Sequence, residues 1–160
     1  MGHESKTAER VVQLRFQPLW RYIDGIRNFC DFFAVATFDD AAVGARIGLV
    51  VHELVENAIR YSSRHEAAQL ELYVVSLGRS IEVRVANSAD AEQVGRFEKA
   101  FEHLAGDPRD VYLRAMERAR SLPADQSGLG LPRVQFEGQM SLTLEQPRSG
   151  VVEVCAKGEI

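Results

Sequence analysis

The chain has 160 residues, 46% hydrophobic and 26% charged, the size and composition of one globular domain with a real core. A formal charge of −4, with Lys and Arg scattered along the chain, leaves no basic footprint for nucleic acid. No run approaches the roughly 18 apolar residues of a membrane span, and the N-terminal "MGHESKTAER" is polar, so a soluble, cytoplasmic protein with a disordered tail over residues 1–9 is expected.

In chain order, "VVQLRF" alternates Val12, Leu14 and Phe16 against polar neighbours, which predicts a strand. After Pro18, the stretch from Leu19 to about Thr37 carries apolar residues at helical spacing, with Cys30 among them. Asp39 and Asp40 supply an N-cap and first-turn charge for a second helix running to about Ser62. "LELYVVSL" and "SIEVRVAN" flank "GRS" as a hairpin. Ala91 to about Ser121 reads as two amphipathic helices interrupted at "GDPRD", the first with Phe97, Phe101 and Leu104, the second with Val111, Tyr112, Ala115 and Met116. After "SGLGL", the segment "LPRVQFEG" reads as a short helix, and "MSLTLEQ" and "VVEVCAK" as a closing hairpin. Hairpin strands grouped with helices predict an α+β fold in one domain, with a mixed, mostly antiparallel sheet covered on one face. Cys30 and Cys155 lack metal or redox spacing and read as reduced core thiols.

The second helix carries the chemistry. Val43, Ile47, Val50, Val51, Leu54 and Ala58 form one apolar stripe, and Glu53 and Asn57, one turn apart, stand on its flank beside Arg46 and Arg60. His52 and Glu56 are expected to point the other way. A carboxylate and a carboxamide so spaced can share a cleft, the first orienting or deprotonating a hydroxyl and the second ligating a hard cation. On spacing alone a solvated helix shoulder is the commoner arrangement, since helix flanks usually carry such residues. The zinc-protease pattern His-Glu-x-x-His fails, because Glu56 stands where its second histidine belongs and His3, His65 and His103 have no ligand spacing.

"HELVENAIRYSS" resembles the N-box of the GHKL superfamily, the Bergerat-fold ATPases, on Glu53, Asn57, Ala58, Arg60 and Tyr61. "SGLGLPRV" is similar to the family's second glycine box on Gly128, Gly130 and Leu131, and glycines there let backbone amides approach an anion. The order of elements is similar to that of the compact anti-sigma-factor serine/threonine kinases, so the resemblance covers nearly the whole chain.

The resemblance implies a two-layer α/β sandwich holding ATP and Mg²⁺. Glu53 would be the catalytic base, Asn57 the metal ligand and Arg60 a nucleotide contact, with Gly128, Leu129 and Gly130 cradling phosphates in front of a helix N-terminus. It also implies a regulatory partner protein, a partner-switching setting and a possible homodimer.

The chain departs from the family at the first glycine box, Asp-x-Gly-x-Gly, which here reads Asn87-Ser88-Ala89-Asp90-Ala91. Asn87 would be an imperfect adenine reader, and alanine resists positive φ by about 1–2 kcal/mol. Two functions stay open: a Mg-ATP-dependent protein kinase, or a binding module that has lost its nucleotide and works by docking. On the second, the helices between Asn87 and Ser127 would be the docking element rather than simply core packing.

Overall fold

The elements follow these periodicities closely in a computed structural model, which describes residues 9–62, 69–123 and 127–160. The tail expected over residues 1–9 lies outside them except for Glu9, as do His3, Ser63 and His65. Strand β1 (Arg10–Phe16) leads through a 3-10 turn at Trp20–Tyr22 into α1 (Ile23–Phe38) and α2 (Ala41–Arg60). A hairpin of β2 (Leu70–Leu77) and β3 (Ser80–Ser88) precedes α3 (Ala91–Glu102) and α4 (Pro108–Ala119). The short α5 (Gly130–Phe136) comes before the closing hairpin of β4 (Ser141–Arg148) and β5 (Val151–Glu159).

The five strands form one sheet in the order β1-β2-β3-β5-β4, and every pairing among the described residues is antiparallel. Period-2 alternation aims Leu70, Leu72 and Val74 of β2, Ile81, Val83 and Val85 of β3, and Val152, Val154 and Ala156 of β5 to one side, where all are buried. The apolar stripe of α2, from Val43 to Ala58, is buried against them. The opposite sheet face is polar, with Arg15 bonded to Glu71 at 2.7 Å and Arg84 to Glu82 at 3.0 Å. Helices on one face and water on the other make the two-layer α+β sandwich that the pattern predicts.

Of the two aspartates expected to start α2, only Asp40 caps it, accepting from the Ala42 and Val43 amides at 2.8 and 3.3 Å. Asp39 instead closes α1 in the left-handed conformation, φ 54°, and its N–H donates to Val35 O at 2.8 Å. Both cysteines are free; burial pushes the Cys30 thiol up to about 12 and, with a smaller push from Glu82, the Cys155 thiol up to about 11. No helix among the described residues is long and apolar enough to cross a membrane.

Candidate functional site

The C-terminal half of α2 rises from the core along one wall of a cavity of about 1190 Å³. Glu53 and Asn57 are four residues apart, so they stack on one face, one turn apart. Opposite them runs the glycine segment, with Ser127, Gly128, Leu129 and Gly130 all on the cavity wall. A Cβ on Gly130 would lie 2.9 Å from Glu53 Oε2 and 3.1 Å from Asn57 Nδ2. The loop backbone therefore packs directly onto the two α2 side chains, and a side chain at Gly130 would have to displace them. Gly128 adopts φ +65°, where a side chain would be strained.

Glu53 is 7% exposed, and a carboxylate so buried needs a partner. The partner is Arg133 of α5, whose Nη1 donates to Glu53 Oε1 at 2.7 Å. Burial raises the Glu53 pKa above the ordinary carboxylate value, while the Arg133 charge pulls it down and Glu56 pushes it up. Arg133 also donates through Nε to Glu137 Oε1 at 3.2 Å, and that carboxylate accepts from the Tyr112 hydroxyl at 2.9 Å. The Arg133 hydrogen bond, helped by Tyr112, holds the Glu137 pKa below its usual value although partial burial opposes this. Asn57 has a different character: its Nδ2 is buried without a hydrogen-bond partner, so one end of the amide stands unsatisfied against the cavity wall.

Glu53, Asn57, Arg60, Gly128, Leu129 and Gly130, picked out from sequence, thus share one cavity. Arg60 donates to Glu56 within its own helix. His52 and Glu56, expected to face away, line the same cavity: Glu56 stands three residues from Glu53 and His52 four from Glu56, the spacings of neighbours on a helix surface. Arg46 is the converse: two turns earlier, it donates to Gln139 Oε1 at 3.1 Å and Glu159 O at 2.8 Å, far from Glu53.

Asn87 does not join them. It is 2% exposed on β3, donates through Nδ2 to Ser88 O at 3.2 Å, and is not among the cavity's lining residues. The next residues take ordinary backbone angles: the positive-φ residues other than glycine, among those described, are Asp39 and Gln139. The strain anticipated for Ala89 and Ala91 does not arise, because the chain enters α3 at once. Asp90 caps that helix, accepting from Gln93 N at 2.8 Å while Gln93 Oε1 accepts from Asp90 N at 2.7 Å.

Both intervening helices are packed into the body. Phe97 is 1% exposed and meets the Tyr61 ring edge-on at 5.1 Å, forming part of the cavity wall. Val111 and Ala115 bury α4, while Leu113 and Met116 stay exposed.

The side chains that sequence reading passed over are the basic ones. Lys99, His103 and Arg118 line the cavity with Arg133. Lys99 lies in the last turn of α3 and His103 caps it four residues on, a spacing that sets the two on one flank. α5, with seven residues, is two turns long and contributes only a weak dipole. Attraction for an anion therefore rests on loop amides and on the charges of Lys99, Arg118 and Arg133.

No family model and no curated protein matches the sequence. Among solved structures, the chain is similar to a chain in the crystal structure of the SiaB–SiaC complex from Pseudomonas aeruginosa, with a TM-score of 0.66 at 13% identity, over 93% of this chain and 89% of that one. The likeness is one of fold.

Proposed function

We propose that the chain is a cytoplasmic regulator of the GHKL type, a small Mg-ATP-dependent serine/threonine kinase that acts on a partner protein in a partner-switching pathway. The observation that carries this reading is the seating of Gly130 on Glu53 and Asn57, which joins the N-box and the second glycine box at one point. The fold likeness to a chain crystallised in a two-protein complex supports a protein partner.

The residues fit the phosphate and metal half of such a ligand. Bound Mg-ATP would supply the transferable phosphoryl group. Asn57 would hold Mg²⁺ through Oδ1, while its unpaired Nδ2 and the amides from Gly128 to Gly130 would donate to phosphate oxygens. Glu53, whose proton affinity burial has raised, would orient a serine or threonine hydroxyl and accept its proton. What remains is positioning and charge balance, the usual substance of phosphoryl-transfer catalysis. The base-reading half does not fit the family pattern at Asn87, whose side chain lies outside the cavity lining and is turned to Ser88.

That mismatch favours a second reading, a docking module without nucleotide. Calorimetric titration with ATP and ADP, with and without Mg²⁺, separates the two. Micromolar, magnesium-dependent binding that Asn57→Ala removes supports the kinase, and phosphotransfer lost in Glu53→Ala assigns the base. No binding at millimolar nucleotide leaves the docking module.

A further inference from the structure

Arg133 is committed to two carboxylates at once. Its Nη1 is 2.7 Å from Glu53 Oε1, its Nε 3.2 Å from Glu137 Oε1, and its Nη2 3.4 Å from Glu137 Oε2. One guanidinium between two carboxylates leaves the trio with a net negative charge if all are ionised. Yet Arg133 is also a wall residue of the cavity, three positions beyond Gly130 and so on the loop side of α5. Its side chain is 36% exposed against 10% for Glu53, so it is the partner that can move.

A second anion beside the loop would find Glu53 repulsive and Arg133 already engaged. A phosphate carries more charge than a carboxylate and accepts the same bidentate fork. We propose that Arg133 is an anion-binding residue that Glu53 holds in reserve: a phosphate-bearing ligand entering the cavity takes the guanidinium over from the carboxylate. Glu137, fixed by Tyr112, stays on Nε and keeps the arginine from swinging away. Entry of the ligand and release of Glu53 become one event, and ligands without a free phosphate leave the pair closed. The inference deepens the nucleotide reading of this site and rests on it.

The test uses inorganic pyrophosphate and ATP, each titrated calorimetrically into the full chain and into Glu53→Gln, Arg133→Gln and the double variant. Glu53→Gln removes the competitor and should tighten pyrophosphate binding about tenfold, whereas Arg133→Gln removes the receiver and should weaken it about tenfold, one charge-assisted contact each. The double variant should match Arg133→Gln. Glu53→Asp, one methylene shorter and so less able to reach Arg133, should also tighten binding and stands in if Glu53→Gln fails to fold. Unchanged or weaker binding in Glu53→Gln overturns the proposal, and so does the absence of pyrophosphate binding in that variant. Pyrophosphate binding with these signs but no ATP binding sinks the nucleotide reading and leaves Arg133 assigned. ATP binding that is indifferent to both substitutions does the reverse.

Discussion

Arg133 and Glu53, eighty residues apart in the chain, meet at 2.7 Å and tie α5 to α2 beneath the glycine loop. Burial lifts the Glu53 pKa above its ordinary 4.5 in spite of Arg133. A carboxyl whose folded pKa is raised binds its proton more tightly in the folded state. It favours folding below pH 4.5 and loses that contribution as pH rises through the raised value. Glu53→Gln cannot titrate. In ligand-free protein the melting temperature of Glu53→Gln minus that of wild type should therefore become more positive between about pH 4 and pH 8. A flat or falling difference would mean that Arg133 outweighs burial.

Gly130 and Gly95 make opposite predictions from one substitution. Alanine at Gly130 puts a methyl 2.9 Å from Glu53 Oε2 and 3.1 Å from Asn57 Nδ2, and Glu53 is anchored by Arg133. Gly130→Ala should cost about 1–3 kcal/mol of stability, the usual range for overpacking. Gly95 lies inside α3 with nothing within 4 Å of its would-be Cβ, so Gly95→Ala should gain about 0.5–1 kcal/mol from helix propensity. Urea denaturation of the pair reads both signs. A neutral Gly130→Ala would show that the loop does not seat on α2 as described.

Much of this was legible in the residues because the signals are local. The stripe from Val43 to Ala58 and the alternation in β2, β3 and β5 fix which faces are buried, and the sandwich follows. Glu53 and Asn57 were legible because one helical turn separates them. The Arg133–Glu53 bond was not, since nothing in the short run "LPRV" says which of its neighbours α5 will meet. His52 and Glu56 were misdirected although the spacing held the answer: Glu56 is three residues from Glu53 and His52 four from Glu56, so they share a flank of α2. Asn87 was aligned by position in a motif, and position does not say whether a side chain at the end of a strand faces a cavity or its own backbone.

Asp90 offers a direct check on that last point. As the N-cap of α3 in a reciprocal pair with Gln93, it should behave as a structural residue. Asp90→Ala should lower stability by about 1 kcal/mol, the common cost of losing an N-cap, and leave ligand affinity unchanged. Chemical denaturation and a nucleotide or pyrophosphate titration on the same sample measure both. Loss of binding with stability intact would make Asp90 a ligand contact and displace Asn87 from consideration.

The seam between α1 and α2 sets where Glu53 and Asn57 stand, and it rests on Gly44. A Cβ there would come within 2.3 Å of Val35 Cγ2, 2.4 Å of Asp31 Oδ1 and 3.0 Å of the Asp31 carbonyl oxygen. Because one of these is backbone, side-chain rotation alone cannot relieve the overlap, and α1 must move off α2. One turn on, a Cβ at Gly48 meets Asp31 Cβ at 3.3 Å and Arg27 Cγ at 3.6 Å, nearly ordinary contact. Gly44→Ala should therefore destabilise by about 1–3 kcal/mol. Gly48→Ala should fall close to neutral, because about 0.5–1 kcal/mol of helix propensity offsets a small displacement. Thermal melts of the two variants decide it: equal effects would mean that the helices are not held at the separation Gly44 requires, and the α2 wall of the cavity would lose its fixed position with them.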